Sequence, residues 1–431
     1  MASGLAIMLV TLALASPVRG DVNGDRKADL VVGGVAGVTV GAQRLPGKAV
    51  ALSTGDFDKD GLSDLVVGGN GGIQVRYGSR SGLGPARTFR PSATAPKFDP
   101  RKPGNRGRGI GWLAAGHGFG NALTTADFNR DGYTDLAVGA PETDRGQVNA
   151  GVVVVMYGSR SGLTDKKALL LGEDVPGVLG FSQHYRLFGA ALAAGDVTGD
   201  GYPDLVVTAP SGRPGHDIAA AIHVFRGSAK GVSLKGDSLV SSGAIDGRVF
   251  DADACSGGPD GPTNKDNVAR CTRQAFGWSV RTGRFTNDRY ADVLVGIGSG
   301  KVLLLRGNAN GVDAKGHRII AVPGVTGTSA VAGDSAGQMA AGDIDKDGYS
   351  DLAVGSRSTG KVAILYGSAT GPQPPVWVPG GGMNVALLDV DGDGRPELAT
   401  TSGDRTGVTW FTGRKATKTA AYSLKGNLIA R

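Results

Sequence analysis

The stretch Asp127-Phe-Asn-Arg-Asp-Gly-Tyr-Thr-Asp135-Leu-Ala-Val-Gly139 decides the fold. Oxygen-bearing side chains stand at its positions 1, 3, 5 and 9, and a glycine at position 6 permits a sharp turn. The apolar run after position 9 is short and rich in β-formers, as expected of a strand leaving a tight acidic loop. The phrase occurs seven times, starting at Asp21, Asp56, Asp127, Asp196, Arg284, Asp343 and Asp389. A weaker phrase follows most copies: Gly-Ser or Gly-Asn with another glycine three residues on, as at Gly78-Ser79, Gly158-Ser159, Gly227-Ser228, Gly307-Asn308 and Gly367-Ser368. Each unit therefore predicts strand, acidic loop, strand, turn, strand, glycine turn and fourth strand. Four short antiparallel strands make one blade of a propeller, and units of this size share a core only when arranged together.

Composition agrees. The chain of 431 residues holds 74 glycines and 6% aromatic residues, with no long helical period. The expected fold class is all-β, a seven-bladed β-propeller of four-stranded antiparallel blades occupying 16–431, with insertions at about 92–118 and 241–275.

The repeat resembles a known family. The acidic loop, Asp-Leu-x-Val-Gly after it, Phe-Gly before it (Phe119-Gly120, Phe188-Gly189, Phe276-Gly277) and Ala-Pro behind it (Ala140-Pro141, Ala209-Pro210) look like the FG-GAP repeat. That repeat builds the propellers of integrin α subunits and of secreted bacterial FG-GAP/VCBS-repeat proteins. The resemblance implies cell adhesion or ligand recognition, with ligands bound on the face opposite the acidic loops.

The loops themselves predict calcium, which takes six to eight hard oxygen donors in a loosely specified sphere. Side chains at positions 1, 3, 5 and 9 and the backbone carbonyl of position 7 supply them. In the first copy these are Asp21, Asn23, Asp25, Lys27 and Asp29; in the second, Asp56, Asp58, Asp60, Leu62 and Asp64. The third offers Asp127, Asn129, Asp131, Tyr133 and Asp135, and the fourth Asp196, Thr198, Asp200, Tyr202 and Asp204. The sixth offers Asp343, Asp345, Asp347, Tyr349 and Asp351, and the seventh Asp389, Asp391, Asp393, Arg395 and Glu397. The fifth copy has Arg284 at position 1, Thr286 at position 3 and Arg289 at position 6, so no ion is expected there and Arg284 is expected to put its own cation in the ion's place. The first has Arg26 at position 6 in place of glycine. Five or six structural Ca2+ ions follow. An EF-hand is excluded because its position 12 carries a bidentate Glu, where this chain has Val32, Val67, Val138, Val207, Val354 and Thr400.

The rest of the chain sets the context. Residues 1–15 carry no charge, and the apolar run Leu5 to Leu14 ending in Ala13-Leu14-Ala15 reads as a signal peptide cleaved near Ala15, so a secreted, extracellular protein is expected. No later segment reads as a membrane span, and a monomer is expected. Cleavage would leave the first blade short of an inner strand, which Tyr422-Ser-Leu or Leu428 to Arg431 is expected to complete. Cys255 and Cys271 are the two cysteines; an export compartment favours a disulfide between them, with two free thiols as the alternative.

The net charge of +7 favours anionic partners such as wall polymers or acidic glycans, with no sign of specific nucleic-acid binding. Arg101, Arg106, Arg108, Trp112 and His117, in the first insertion, are the candidate ligand-binding residues. No catalytic residue is assigned. Gly355 to Lys361 imitates a phosphate loop but lies between two expected strands, and Arg19-Gly20-Asp21 spells an adhesion tripeptide whose Asp21 is already a loop ligand. His223 is expected to be structural. The reading is thus an extracellular binding protein, against the alternatives of a polysaccharide lyase or hydrolase, or a lectin using an exposed Trp112 or Trp377.

Overall fold

The computed structural model describes residues 7–9 and 20–423, apart from 35–36, 41–42, 47–48, 70, 92–117, 145–146, 211–218, 246–275, 298–299, 325–338, 357–358, 380–383 and 403–404. Among the described residues the chain forms seven four-stranded antiparallel sheets and one two-stranded ribbon. The only helix among them is a single 3-10 turn, Ser242–Ala244. Each sheet follows the order its repeat predicts. In the third, Ala122–Ala126 leads through the acidic loop to Asp135–Ala140, then to Val152–Tyr157 and Thr164–Leu171. Leu136 stands opposite both Thr125 and Met156, in direct antiparallel register.

The first strands of the sheets lie side by side. Ala51–Gly55 touches Ala122–Ala126, which touches Leu192–Gly195; Val280–Gly283, Met339–Gly342 and Asn384–Leu388 continue the series. These sheets are the blades of a β-propeller. The ribbon Gly307–Asn308 with Gly311–Val312 is the glycine turn of the fifth unit.

The core lies between neighbouring sheets. At five junctions the residue at position 2 of the loop is the plug: Phe57, Phe128, Val197, Phe285 and Ile344 are wholly buried, each packed among side chains of its own sheet and the next. Position 12 confirms the strand reading, with Val138, Val207 and Val354 buried in second strands. The seventh sheet also packs against the first loop. There Ala28 packs with Ala386, Leu388, Ala399 and Val408.

The first sheet departs from expectation. Ile7–Leu9 pairs with Val31–Gly34, Ile7 opposite Gly34 and Leu9 opposite Val32, so its inner strand comes from within the segment read as a leader. Tyr422 does not complete that sheet: it stands opposite Thr406 in the outer strand of the seventh, Lys415–Ser423. Residues 428–431 lie outside the described residues. The stretch Gly355 to Lys361 is a strand-to-strand turn, with Gly355 opposite Val362, and no helix follows it to receive a phosphate.

Candidate metal centres

Each acidic loop except the fifth is wrapped around its first carboxylate. In the second loop, Asp60 N–H donates to Asp56 Oδ1 at 3.1 Å and Gly61 N–H to Asp56 Oδ2 at 2.9 Å. The third, fourth and sixth loops repeat both bonds. Closing so tight a ring takes left-handed backbone at positions 4 and 6. Lys59, Arg130 and Lys346 hold φ of 60°, 54° and 59° at position 4, and Gly61, Gly132 and Gly348 each hold 89° at position 6. Arg26 adopts the same conformation with φ of 70° and donates its N–H to Asp21 Oδ2 at 2.7 Å, so the first loop closes without glycine. At the far side, the N–H of position 7 donates to the position 5 carboxylate, as from Tyr133 to Asp131 and from Arg395 to Asp393.

Position 9 has a second role that sequence reasoning missed. Asp135 is wholly buried; Oδ2 accepts the N–H of Phe128 at 2.9 Å and Oδ1 the N–H of Gly158 at 3.0 Å. It thereby ties the acidic loop to the glycine turn of its own sheet. Asp64, Asp204, Asp292 and Asp351 bind the turn glycines Gly78, Gly227, Gly307 and Gly367 in the same way. Only glycine fits there. A Cβ on Gly78 would come within 2.6 Å of the Ser63 carbonyl. The signal was present in the fifth copy, which loses its acids at positions 1 and 3 yet keeps Asp292.

Burial of these carboxylates without a cation is electrostatically unfavourable. Desolvation pushes Asp64 and Asp135 up to about 8, Glu397 to about 8 and Asp351 to about 7. One oxygen, Asp58 Oδ1, is buried with no hydrogen-bond donor. Ligand atoms of Asp56, Asp58 and Asp64 lie within 4.8 Å of one another, as do those of Asp343, Asp345 and Asp347, and those of Asp389, Asp391 and Glu397. All are hard oxygens converging on one point. The donor chemistry, the orphaned oxygen and the raised carboxylates fit a hard divalent cation of the calcium kind.

The fifth loop is built differently. Neither Asn287 nor Arg289 is left-handed. Thr286 Oγ1 donates to Asp292 Oδ2 at 2.9 Å, so a hydroxyl serves the buried carboxylate. The Arg284 guanidinium does not occupy an ion position as the sequence suggested; it lies 6.0 Å from the ring centre of Tyr349 in the next sheet.

Adjacent loops are joined. Ser63 N–H donates to the Asp21 carbonyl at 2.8 Å, Thr134 to Asp56 at 2.9 Å, Ala291 to Asp196 at 2.8 Å and Ser350 to Arg284 at 2.8 Å. At the same position 8, Pro203 and Pro396 have no N–H to give. Lysines at position 4 add a second tie: Lys59 Nζ reaches the Asp131 carbonyl and Lys346 Nζ the Asp393 carbonyl, both at 3.0 Å.

At the opposite ends of the strands, segment 172–190 links the third sheet to the fourth over a buried charged cluster. Arg186 pairs with Glu173 through Nε at 2.7 Å and through its second terminal nitrogen at 2.8 Å, and its remaining nitrogen donates to the Ala219 carbonyl. His223, wholly buried on strand Ala221–Phe225, lies 3.2 Å from Glu173 and 3.1 Å from Asp237. Burial opposes the His223 charge, but Asp237 and Glu173 outweigh it and raise the imidazole above its usual range. His223 is structural, as its place in a strand suggested. Asp237 also accepts the N–H of Leu179 at 2.8 Å, and the segment carries Phe181, 82% exposed.

Of the other expected residues, Arg101, Arg106, Arg108, Trp112, His117, Cys255 and Cys271 lie outside the described residues. Trp377 packs against the core around Met339 and Leu352. Gly20 and Asp21 are buried, so the adhesion tripeptide is not presented there.

Comparison with known proteins places this geometry. FG-GAP repeats are found at 119–156 and 188–225, and an FG-GAP-like repeat at 343–400. The chain is 41% identical over 115 residues to the phosphatidylinositol-glycan-specific phospholipase D of Bos taurus, a match covering 26% of this chain and 14% of that protein. It is 31% identical over 144 residues to integrin alpha-7 of Mus musculus, covering 33% of this chain and 11% of the integrin. A solved lectin of Agrocybe aegerita, studied for recognition of non-reducing terminal N-acetylglucosamine, superposes over 98% of this chain and 94% of its own, with a TM-score of 0.54 and 15% identity. That likeness shows the fold alone.

The chain is therefore a β-propeller that carries FG-GAP repeats and is similar over part of its length to integrin α subunits.

Proposed function

We propose that this propeller is an extracellular ligand-binding protein of seven closed blades, in which calcium is structural and binding takes place on the face opposite the acidic loops. Calcium is assigned to the first four loops and to the sixth and seventh, where it neutralises buried carboxylates and stiffens the joined ring. Arg101, Arg106, Arg108, Trp112 and His117 are assigned to the binding face together with segment 172–190.

The observation that carries this reading is Phe181, 82% exposed on a segment fixed by the buried Glu173, Arg186, His223 and Asp237. Leu179, 49% exposed, stands beside Phe181, so the segment presents two apolar side chains to solvent on a pre-ordered scaffold, which lowers the cost of binding. Strain points to the same place. Among the described residues, every non-glycine with positive φ lies either in an acidic loop or in the two segments zipped together here (Asn149, Tyr185 and Leu187). Tyr185 N–H donates to the Val148 carbonyl at 2.7 Å and Leu187 N–H to that of Asn149 at 3.0 Å.

Ligand classes to try are neutral and acidic glycans, anionic wall polymers and surface proteins. The test is an array of these probed with the protein and with Phe181→Ala. The variant should lose binding at least tenfold while melting at the same temperature. Equal binding by both proteins would remove segment 172–190 from the site, and turnover of any hit would replace binding by catalysis.

Export is part of the proposal. A leader cut after Ala15 would remove the strand Ile7–Leu9. The N-terminal residue of the protein recovered from culture medium decides between cleavage and retention of that strand. Protein confined to the cells would contradict export.

A further inference from the structure

The seventh sheet ends its third strand differently from the second to sixth. Strands Arg405–Thr412 and Lys415–Ser423 are joined by the two residues Gly413 and Arg414, with Gly413 at φ of 57°, instead of the Gly-Ser turn that folds under its own loop in the second, third, fourth and sixth sheets. The short turn projects Arg414 across to the sixth acidic loop. Its Nε donates to Asp345 Oδ2 at 2.6 Å, and a terminal nitrogen donates to Asp347 Oδ2 at 3.3 Å. The guanidinium is steadied by the Tyr366 ring, 4.8 Å from its centre, and the Tyr366 hydroxyl donates to the Arg414 carbonyl at 3.1 Å. The same hairpin reaches the seventh loop, where Trp410 Nε1 donates to Asp391 Oδ2 at 3.0 Å.

Asp345 and Asp347 are two of the three carboxylates that converge in the sixth loop. Among the described residues this is the only acidic loop whose carboxylates carry a salt bridge. We propose that Arg414 is a built-in cation that competes with calcium for the sixth loop, so that the terminal hairpin makes the junction of the sixth and seventh sheets responsive to calcium. The inference rests on the calcium reading of the loops. Without calcium, Arg414 neutralises the loop and the hairpin is clasped to it. With calcium, the ion takes the lone pairs that Arg414 uses, and the guanidinium is released to solvent, where half of it already lies. A unit charge about 6 Å from a divalent ion in water-like surroundings weakens its binding by about tenfold. The sixth loop is then a lower-affinity site than the second, although both have complete ligand sets.

The experiment is a calorimetric calcium titration of the full chain, comparing wild type with Arg414→Ala and Arg414→Gln, and repeated in an Asp345→Asn, Asp347→Asn background. Both Arg414 variants should tighten one site about tenfold without changing the number of sites. In the double-Asn background one site should vanish, and Arg414→Ala should then have no effect on calcium binding. Melting in chelator supplies a second reading: Arg414→Ala should melt below wild type, and the gap should close with calcium. Unchanged or weaker affinity in both Arg414 variants, with the other sites intact, overturns this proposal alone. No calcium bound by wild type overturns the loop assignment and this proposal with it.

Discussion

Ala28 and Asp389, 361 positions apart, are joined by a backbone hydrogen bond of 3.0 Å, the N–H of Ala28 donating to the carbonyl of Asp389. It is the same bond, position 8 to the preceding position 1, that links neighbouring loops elsewhere, and here it ties the last loop to the first. Beside it Ala28 packs against Ala386, Leu388, Ala399 and Val408 of the seventh sheet.

Ala28→Pro removes the donor. Proline is tolerated at position 8, as Pro203 and Pro396 show, so the loss should reflect the missing bond more than steric conflict. Urea unfolding should show a destabilisation of about 1 kcal/mol. No change would mean that the seam does not depend on this contact.

The double role of position 9 separates two variants. Asp135→Ala and Asp292→Ala each strand two buried N–H groups, costing about 3 kcal/mol or more in chelator. Calcium should stabilise Asp292→Ala as much as wild type, because no ion is assigned to the fifth loop. Asp135→Ala should gain less from calcium by one site's share. Equal gains in the two variants would contradict the assignment.

Acidity gives a signature of the calcium-free protein. Burial raises Asp64, Asp135 and Glu397 to about 8 and Asp351 to about 7, above their unfolded values of roughly 4. The folded state therefore binds more protons than the unfolded one between about pH 4 and 8, and the stability that protonation confers is lost as pH rises through that window. In chelator the melting temperature should fall from pH 5 to pH 8. With saturating calcium, which favours the ionised carboxylates, the fall should be abolished or reversed. The same slope with and without calcium would detach the carboxylates from the metal.

Much of this was legible in sequence because a propeller repeats short-range rules. The period of the acidic loop located the strands, and its side chains named the candidate ligands. Relationships between units were not legible. Arg414 lies 69 residues from Asp345, and His223 lies 50 from Glu173; each pair meets only because sheets are stacked around a common core. Asp135 was legible as an oxygen donor but not as a strut, since its partner Gly158 belongs to a turn whose distance follows from the third strand's length. The inner strand of the first sheet could be read two ways, because Ile7–Leu9 has the apolar run of a leader and of a strand alike; its pairing with Val31–Gly34 depends on residues far along the chain.

The central claim is that calcium in the acidic loops holds the blades together. The most direct measurement is the melting temperature of the full chain as free calcium is raised from chelated to millimolar levels. Binding to the folded state alone predicts a steady rise, about 2.7 kcal/mol of added stability for each site at a hundred times its dissociation constant. A melting temperature that is the same in chelator and in calcium would contradict it.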